Sequence, residues 1–159
     1  MAARVTVVTV GRPAAGPWRA LAEDYGARIA SFVPFSRRVV RPSRARGAPA
    51  RRREETRALI DAVPARARIV ALDAGGRPFD TPAFGRAVAS WIAGDGLAFL
   101  VGGPDGIDGD SLAEAAGARP VDRLALGPMT LSHDLALIVL LEQVYRALAG
   151  ARNHPYARH

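Results

Sequence analysis

An open, mainly parallel α/β sheet flanked by helices is the fold class this sequence predicts, and three observations carry it. Short Val- and Leu-rich runs alternate with longer stretches of helical periodicity along the whole chain. The run Ala98-Phe99-Leu100-Val101 is apolar at every position, as a strand buried on both faces must be. That run and a later one, Arg123-Leu124-Ala125-Leu126, each break into a Gly- and Pro-containing loop that leads into a helix. Loops at strand ends are where α/β proteins meet their ligands.

Taken in order, Arg4 to Val10 reads as a first strand ending at Gly11. Pro13, Gly16 and Pro17 mark a loop, and Trp18, Leu21, Ala22, Tyr25 and Ile29 recur at helical spacing, which predicts an amphipathic helix from Trp18 to about Phe32. Arg37 to Arg41 is a short strand-like piece. Pro42 to Arg53 is punctuated by Pro and Gly and crowded with Arg, so a mobile basic loop is expected there, leading into a helix over about Arg52 to Val63. Arg68 to Leu72 is the next strand, followed by a turn over Asp73-Ala74-Gly75-Gly76-Arg77-Pro78. Thr81-Pro82 starts a helix with a hydroxyl cap and a first-turn proline, running to about Ala93.

After the central strand, Gly102-Gly103-Pro104-Asp105-Gly106 forms a loop whose first two residues lack a Cβ and let the main chain press against a small molecule. It matches neither GxxxxGK[ST] nor GxGxxG, so Walker-type and dinucleotide-binding loops are excluded. A short helix from Asp110 to Ala116 stops at Gly117, Val121 to Leu126 is a strand, and Asp134 to Ala149 is the last helix. Its beginning, Leu135 to Leu141, is apolar on every face and predicts a self-association surface.

At 159 residues the chain is expected to be a single domain. Hydrophobic residues make up 49% and charged residues 23%, a globular composition. A net charge of +7 and a pI near 11.2 point to a polyanionic partner, nucleic acid first. Every strongly basic residue is Arg and none is Lys, which a GC-rich coding sequence explains better than selection for bidentate phosphate contacts does. The absence of Cys excludes disulfide, thiolate-metal and cysteine-nucleophile chemistry. His133, His154 and His159 lack metal-ligand spacing, so no metal is expected. The N-terminal stretch does not read as a signal peptide, and the longest apolar run is far below the roughly 20 residues that span a bilayer. A cytoplasmic protein with no membrane partner is expected.

Among single residues, Asp73 stands where a strand end could meet a ligand or where a turn needs an acceptor. His133 opens the last helix and reads best as a cap or a solvated side chain. Glu142 and Arg146, four apart, read as an ion pair, with Tyr145 packing beside them. The tail Arg152-Asn153-His154-Pro155-Tyr156-Ala157-Arg158-His159 mixes stacking, hydrogen-bonding and cationic groups suited to a nucleotide base.

Six segments in order then resemble one family. They are Ile69-Val70-Ala71-Leu72-Asp73 with Gly76-Arg77-Pro78-Phe79-Asp80-Thr81-Pro82; Val101-Gly102-Gly103-Pro104-Asp105-Gly106; Leu126-Gly127-Pro128-Met129-Thr130-Leu131-Ser132-His133; Glu142-Gln143-Val144-Tyr145-Arg146-Ala147; and the closing Asn153-His154-Pro155-Tyr156. Over essentially its whole length the chain resembles the RlmH family of SPOUT-class RNA methyltransferases. It differs in carrying arginines where many members have lysines, and in flanking His133 with Ser132 and Asp134 where proline is frequent.

The resemblance implies a SPOUT-type sheet with a deep trefoil knot in its C-terminal part, about residues 70–159, and a homodimer. It implies S-adenosylmethionine held by Leu72, by Gly102 and Gly103, and by Leu126, Gly127, Pro128, Met129, Thr130 and Leu131. It implies methylation at N3 of a pseudouridine in 23S, large-subunit ribosomal RNA on the assembled ribosome. The expected catalytic residues are His154 as proton acceptor, Tyr156 for stacking, and Arg146 and Arg152, with Arg158, for positioning. The reading in another class is a non-catalytic basic RNA-binding or ribosome-assembly protein, which would not bind the methyl donor.

Overall fold

Valines at alternate positions of the first strand set the plan of the molecule. In the computed structural model, which describes residues 4–158, all six residues of β1 (Val5–Val10) are buried. Val5 and Val7 enter one apolar cluster, and Val8 and Val10 enter another. Period-two side chains of a strand covered on both faces must divide this way. β4 (Leu97–Val101) repeats the pattern, with Leu97, Phe99 and Val101 on the first side and Ala98 and Leu100 on the second.

Five parallel strands form the sheet, in the order β2-β1-β4-β3-β5. β2 spans Phe35–Val40, β3 Arg68–Pro78 and β5 Val121–Ala125. β2 and β5 are its edges and are only partly buried, and Arg37 and Arg38 on β2 discourage strand pairing with another chain. The helices α1 (Pro17–Ala30), α3 (Thr81–Ile92) and α5 (His133–Ala151) supply the cluster on one face. On the other face lie α2 (Ala48–Asp61) and α4 (Gly109–Ala116). Among the described residues no helix is long and apolar enough to cross a membrane. His159 lies outside the described residues.

Three sequence expectations shift. The turn expected over Asp73–Pro78 is instead the continuation of β3. Leu72 and Arg77 both pair with Leu124, so the four residues between them bulge out of the ladder. Gly76 makes this possible, since a Cβ there would sit 2.6 Å from the carbonyl carbon of Arg123 and 2.7 Å from the Leu124 nitrogen. The helix expected from Arg52 begins at Ala48, with Gly47 at φ +86° before it and Pro49 in its first turn. The basic loop is therefore only residues 42–47. The cap of α3 is Asp80, whose Oδ1 accepts the Ala83 N–H at 2.8 Å, and not the Thr81 hydroxyl.

Part of the apolar stripe at the start of α5 is covered from within the chain: Leu137, Leu140 and Leu141 are buried against α1, α3 and β4, while Ala136, Ile138 and Val139 are half-buried. Leu135 remains exposed, as does Met129 just before the helix.

Candidate functional site

At the carboxyl ends of β4 and β5, beside the bulge in β3, the chain leaves a cavity of about 470 Å³, within the range of small-molecule sites. β3 contributes Leu72, Asp73 and Ala74, and β4 contributes Val101 and the Gly102–Gly106 loop. The strip after β5 contributes Leu126, Gly127, Met129, Thr130 and Leu131, and the start of α5 contributes Ser132, His133 and Ala136. All the residues expected to contact a cofactor line this one space except Pro128.

The glycine loop is held in a narrow geometry. Gly106 donates its N–H to the Gly103 carbonyl at 2.9 Å. A Cβ on Gly102 would meet the Gly106 carbonyl group and Ile107 Cγ1 at 3.0 Å. A Cβ on Gly103 would lie 2.9 Å from Glu55 Oε2 and 3.3 Å from Val10 Cγ1. Only glycine lets the main chain run between these neighbours and still face the cavity.

Sequence reading missed what fixes this loop from behind, which is one face of α2. Arg51 Nε donates to Asp105 Oδ2 at 2.8 Å, and Arg52 pairs with Asp108 at 3.8 Å. The Thr56 hydroxyl accepts the Asp108 N–H at 2.9 Å. Glu55, only 4% exposed, accepts the Ser43 N–H on Oε1 at 2.9 Å, while its buried Oε2 has no hydrogen-bond partner among the described residues. Residues 51, 52, 55 and 56 share one helical face, but nothing local indicated that a loop some fifty residues away would dock there.

Ionisation follows these contacts. The hydrogen bond from Arg51 holds the Asp105 carboxyl below the usual carboxylate range. Hydrogen bonds from Ser111 do the same for Asp108, which caps α4. For Asp73, burial opposes ionisation, but the Gly75 N–H and the Arg123 guanidinium outweigh it and the carboxyl is again held low. Asp73 thus stays charged in the cavity wall, tied to β5. His133 lines the cavity with Nε2 3.4 Å from Asp134 Oδ1. Ser132 caps the same helix, its Oγ accepting the Leu135 N–H at 3.4 Å.

The tail residues gather elsewhere. After α5 the chain turns through Asn153 at φ +54° and closes in a 3-10 turn over Pro155–Arg158. The expected Glu142–Arg146 pair is present, with Arg146 Nη2 2.8 Å from Glu142 Oε1. The Tyr156 hydroxyl donates to the same oxygen at 2.8 Å. Its ring lies 4.6 Å from that of Tyr145, and the Arg146 guanidinium stands 4.9 Å from its centre. Burial, then hydrogen bonds with Tyr25 and Glu142, raise the Tyr156 phenol well above its ordinary value, so it keeps its proton. Arg152 reaches back to the Phe32 carbonyl at 2.9 Å and lies over the Phe32 ring. His154 is exposed, its Nδ1 accepting the Tyr156 N–H at 3.3 Å and its ring edge-on to Phe32 at 6.1 Å.

None of Arg146, Arg152, His154 and Tyr156 lines the cavity. His133 lies at one end of the 19-residue α5 and the tail follows the other, so about 28 Å of helix separates them. The expected cofactor residues come together, and so do the expected catalytic residues, but the two groups do not meet within one chain.

The family model described as "Predicted SPOUT methyltransferase" matches residues 3–157. Three similar proteins all carry the name ribosomal RNA large subunit methyltransferase H. The one from Gluconacetobacter diazotrophicus is 42% identical over 154 residues, covering 96% of this chain and 95% of its own. That from Methylobacterium nodulans is 40% identical over 163 residues, covering 98% of each. That from an Anaeromyxobacter species is 37% identical over 155 residues, covering 96% of this chain and 98% of its own. With the parallel sheet and its glycine-lined cavity, these matches show that the chain belongs to the SPOUT methyltransferase family, among the relatives named ribosomal RNA large subunit methyltransferase H.

Proposed function

We propose that the protein is an S-adenosylmethionine-dependent methyltransferase acting as a homodimer on N3 of a pseudouridine in 23S ribosomal RNA of the assembled ribosome, in the cytoplasm, and that residues of about 70–159 form a deep trefoil knot. The observation that carries the reading is the cavity, where a Cβ-free main chain at Gly102–Gly103 faces the apolar strip Leu126–Leu131 across Leu72. An adenosine fits such a slot: apolar walls take the base, and main-chain groups at the rim take its edge. The names of the relatives supply the RNA, and the net charge of +7 suits a polyanionic substrate.

The donor, when bound, supplies a methyl group already activated on a sulfonium. The protein then has to align the base nitrogen and take up its proton. Alignment of this kind supplies up to about 7–11 kcal/mol of the barrier. His154, which is exposed, is the proposed acceptor of the N3 proton; its Nδ1 is the unprotonated nitrogen and has to let go of the Tyr156 N–H, held at 3.3 Å, to take that proton, and a well-placed base contributes about 10²–10⁴-fold. Tyr156 keeps its own proton, which suits stacking on the base with the part of the ring that Tyr145 and Arg146 leave uncovered. Arg146 and Arg152 steady the tail and position the substrate.

The length of α5 supports the dimer: a tail about 28 Å from its own cavity serves the cavity of a second copy. Met129, exposed in the cavity wall, and Leu135, exposed in the first turn of α5, offer apolar surface for that copy. Two variants test this. Gly103→Val fills the cradle and His154→Ala removes the acceptor, so each alone is inactive. Mixed, they form dimers with one intact composite site, and turnover returns to about a quarter of the unmodified protein's, read by mass analysis of the modified nucleoside. Failure of mixing to restore activity would overturn the shared site. Failure of the unmodified protein to bind the donor by calorimetry would favour a non-catalytic RNA-binding protein.

A further inference from the structure

A second cavity opens on the opposite side of the sheet from β5, between α1 and the edge strand β2. It measures about 420 Å³ and is walled by Arg12, Arg19 and Arg37, with Glu23 the one acidic side chain among the lining residues. Its floor is Gly26 against Phe35, where a Cβ would come 3.1 Å from the Phe35 ring; the missing side chain lets the helix sit down on the strand and leaves the groove open above. Three guanidiniums against one carboxylate is an unbalanced set, and among the described residues none of Arg12, Arg19 and Arg37 forms an ion pair.

Arg37 is the telling residue. Its Nε is shut off from solvent and has no hydrogen-bond partner among the described residues. A buried donor left unmade costs free energy, and a guanidinium offers five such donors in a rigid fork. Burial also draws the Arg37 pKa downward, with Glu23 acting the other way, as expected of a cation still lacking its counter-ion. Arg19 is held at the rim by a 3.1 Å hydrogen bond from Nη2 to the Pro13 carbonyl. Arg12 follows the carboxyl end of β1, the end of the sheet on which the donor cavity opens.

We infer that this groove is a phosphate-binding site that grips the sugar–phosphate backbone of the RNA substrate away from the nucleotide being methylated. The inference rests on RNA being the substrate. Forked N–H donors match the paired oxygens of a phosphodiester as they match a carboxylate, and the anion that an RNA substrate offers is the phosphodiester. Val39, 44% exposed beside them, offers an apolar contact for a ribose. Two to four strand spacings, about 10–19 Å, separate β2 from the strands of the donor cavity, so one RNA segment can touch both.

Arg37→Gln and Arg19→Gln in the full-length protein test the site; Arg19 is exposed on α1, so its replacement leaves the fold intact even if Arg37→Gln does not. Binding to large ribosomal subunits is measured across a salt series, with donor affinity measured in parallel. Each variant is expected to bind subunits about tenfold more weakly, with the slope of log K against log salt reduced by about 0.7–0.9 for a lost phosphate contact, and with donor affinity unchanged. KM for subunits rises while kcat at saturation holds. An unchanged slope and affinity in both variants would overturn the inference. So would a groove that takes up inorganic phosphate, seen as shifted Arg37 resonances, while subunit binding is indifferent to its arginines. If the unmodified protein binds subunits through this groove yet methylates nothing, the enzymatic reading fails and the groove stands.

Discussion

Replacing Gly103 by alanine tests whether the donor loop is held from behind as the structure describes. The added Cβ would come 2.9 Å from Glu55 Oε2 and 3.3 Å from Val10 Cγ1. Val10 is 3% exposed in a central strand and cannot withdraw. Glu55 can swing only by giving up the Ser43 N–H, a bond to a charged acceptor worth about 1.5–3 kcal/mol. Overpacking of this kind costs about 1–3 kcal/mol, and for a chain of this size each kcal/mol moves the melting temperature by about 2–4 °C. A drop of about 2–12 °C is expected. If the strain is relieved by the loop moving into the cavity, donor affinity falls too, by about tenfold for each 1.4 kcal/mol. Glu55→Ala alone should destabilise, but in the Gly103→Ala background it removes the clashing oxygen, so the two changes should cost less together than their separate effects predict. Calorimetric titration with the donor and thermal melts of all four proteins read this out. Melting and affinity unchanged in Gly103→Ala, or strictly additive losses, would refute the account of a loop clamped between Glu55 and β1.

Two further outcomes follow from the same geometry. Gly76→Ala presses a Cβ onto the main chain of Arg123 and Leu124, which cannot give way as a side-chain end can, so it should lower chemical stability by at least the roughly 3 kcal/mol at the upper end of ordinary overpacking; a variant as stable as the parent would mean that the bulge is readily reshaped. Asp105 and Asp108 are both held below their ordinary pKa, so their contribution to stability is complete above about pH 4 and is lost as pH falls through their lower folded-state values. Melts between pH 7 and pH 2 should therefore be flat near neutrality and fall on the acid side, with a shallower fall in Asp105→Asn; identical acid limbs would mean that the Arg51 contact contributes nothing.

The parts of the fold visible in the sequence are those whose cause is local. β1 and β4 announce themselves because burial on both faces favours short Val- and Leu-rich runs, each closed at strand length by a glycine, Gly11 and Gly102. β2 begins two residues and ends one residue earlier than the Arg37–Arg41 expected, since an edge strand carrying Ser36, Arg37 and Arg38 is held mainly by its pairing with β1, thirty residues earlier. Gly75–Gly76 shows the limit most plainly. The same two residues serve a turn or a bulge, and only the arrival of Arg123 and Leu124 against Gly76 decides for the bulge. The first turn of α2 looks like basic loop in the sequence because its acidic partners, Asp105 and Asp108, lie beyond two intervening strands.

The candidate site divides along the same line. Its cavity-facing half is built from main chain, and glycine is the one residue whose presence betrays close backbone approach, so Gly102 and Gly103 were readable where Glu55, Arg51 and Thr56 behind them were not. The separation of tail from cavity was also present in the sequence, though as a length and not as a motif. A helix expected from Asp134 to Ala149 already implies more than 20 Å between the strip ending at His133 and the tail beginning at Arg152. With one set of groups at each end of a rigid rod, no motion of a few tail residues bridges the gap within one chain, and the proposed homodimer is the arrangement that brings the two sets together.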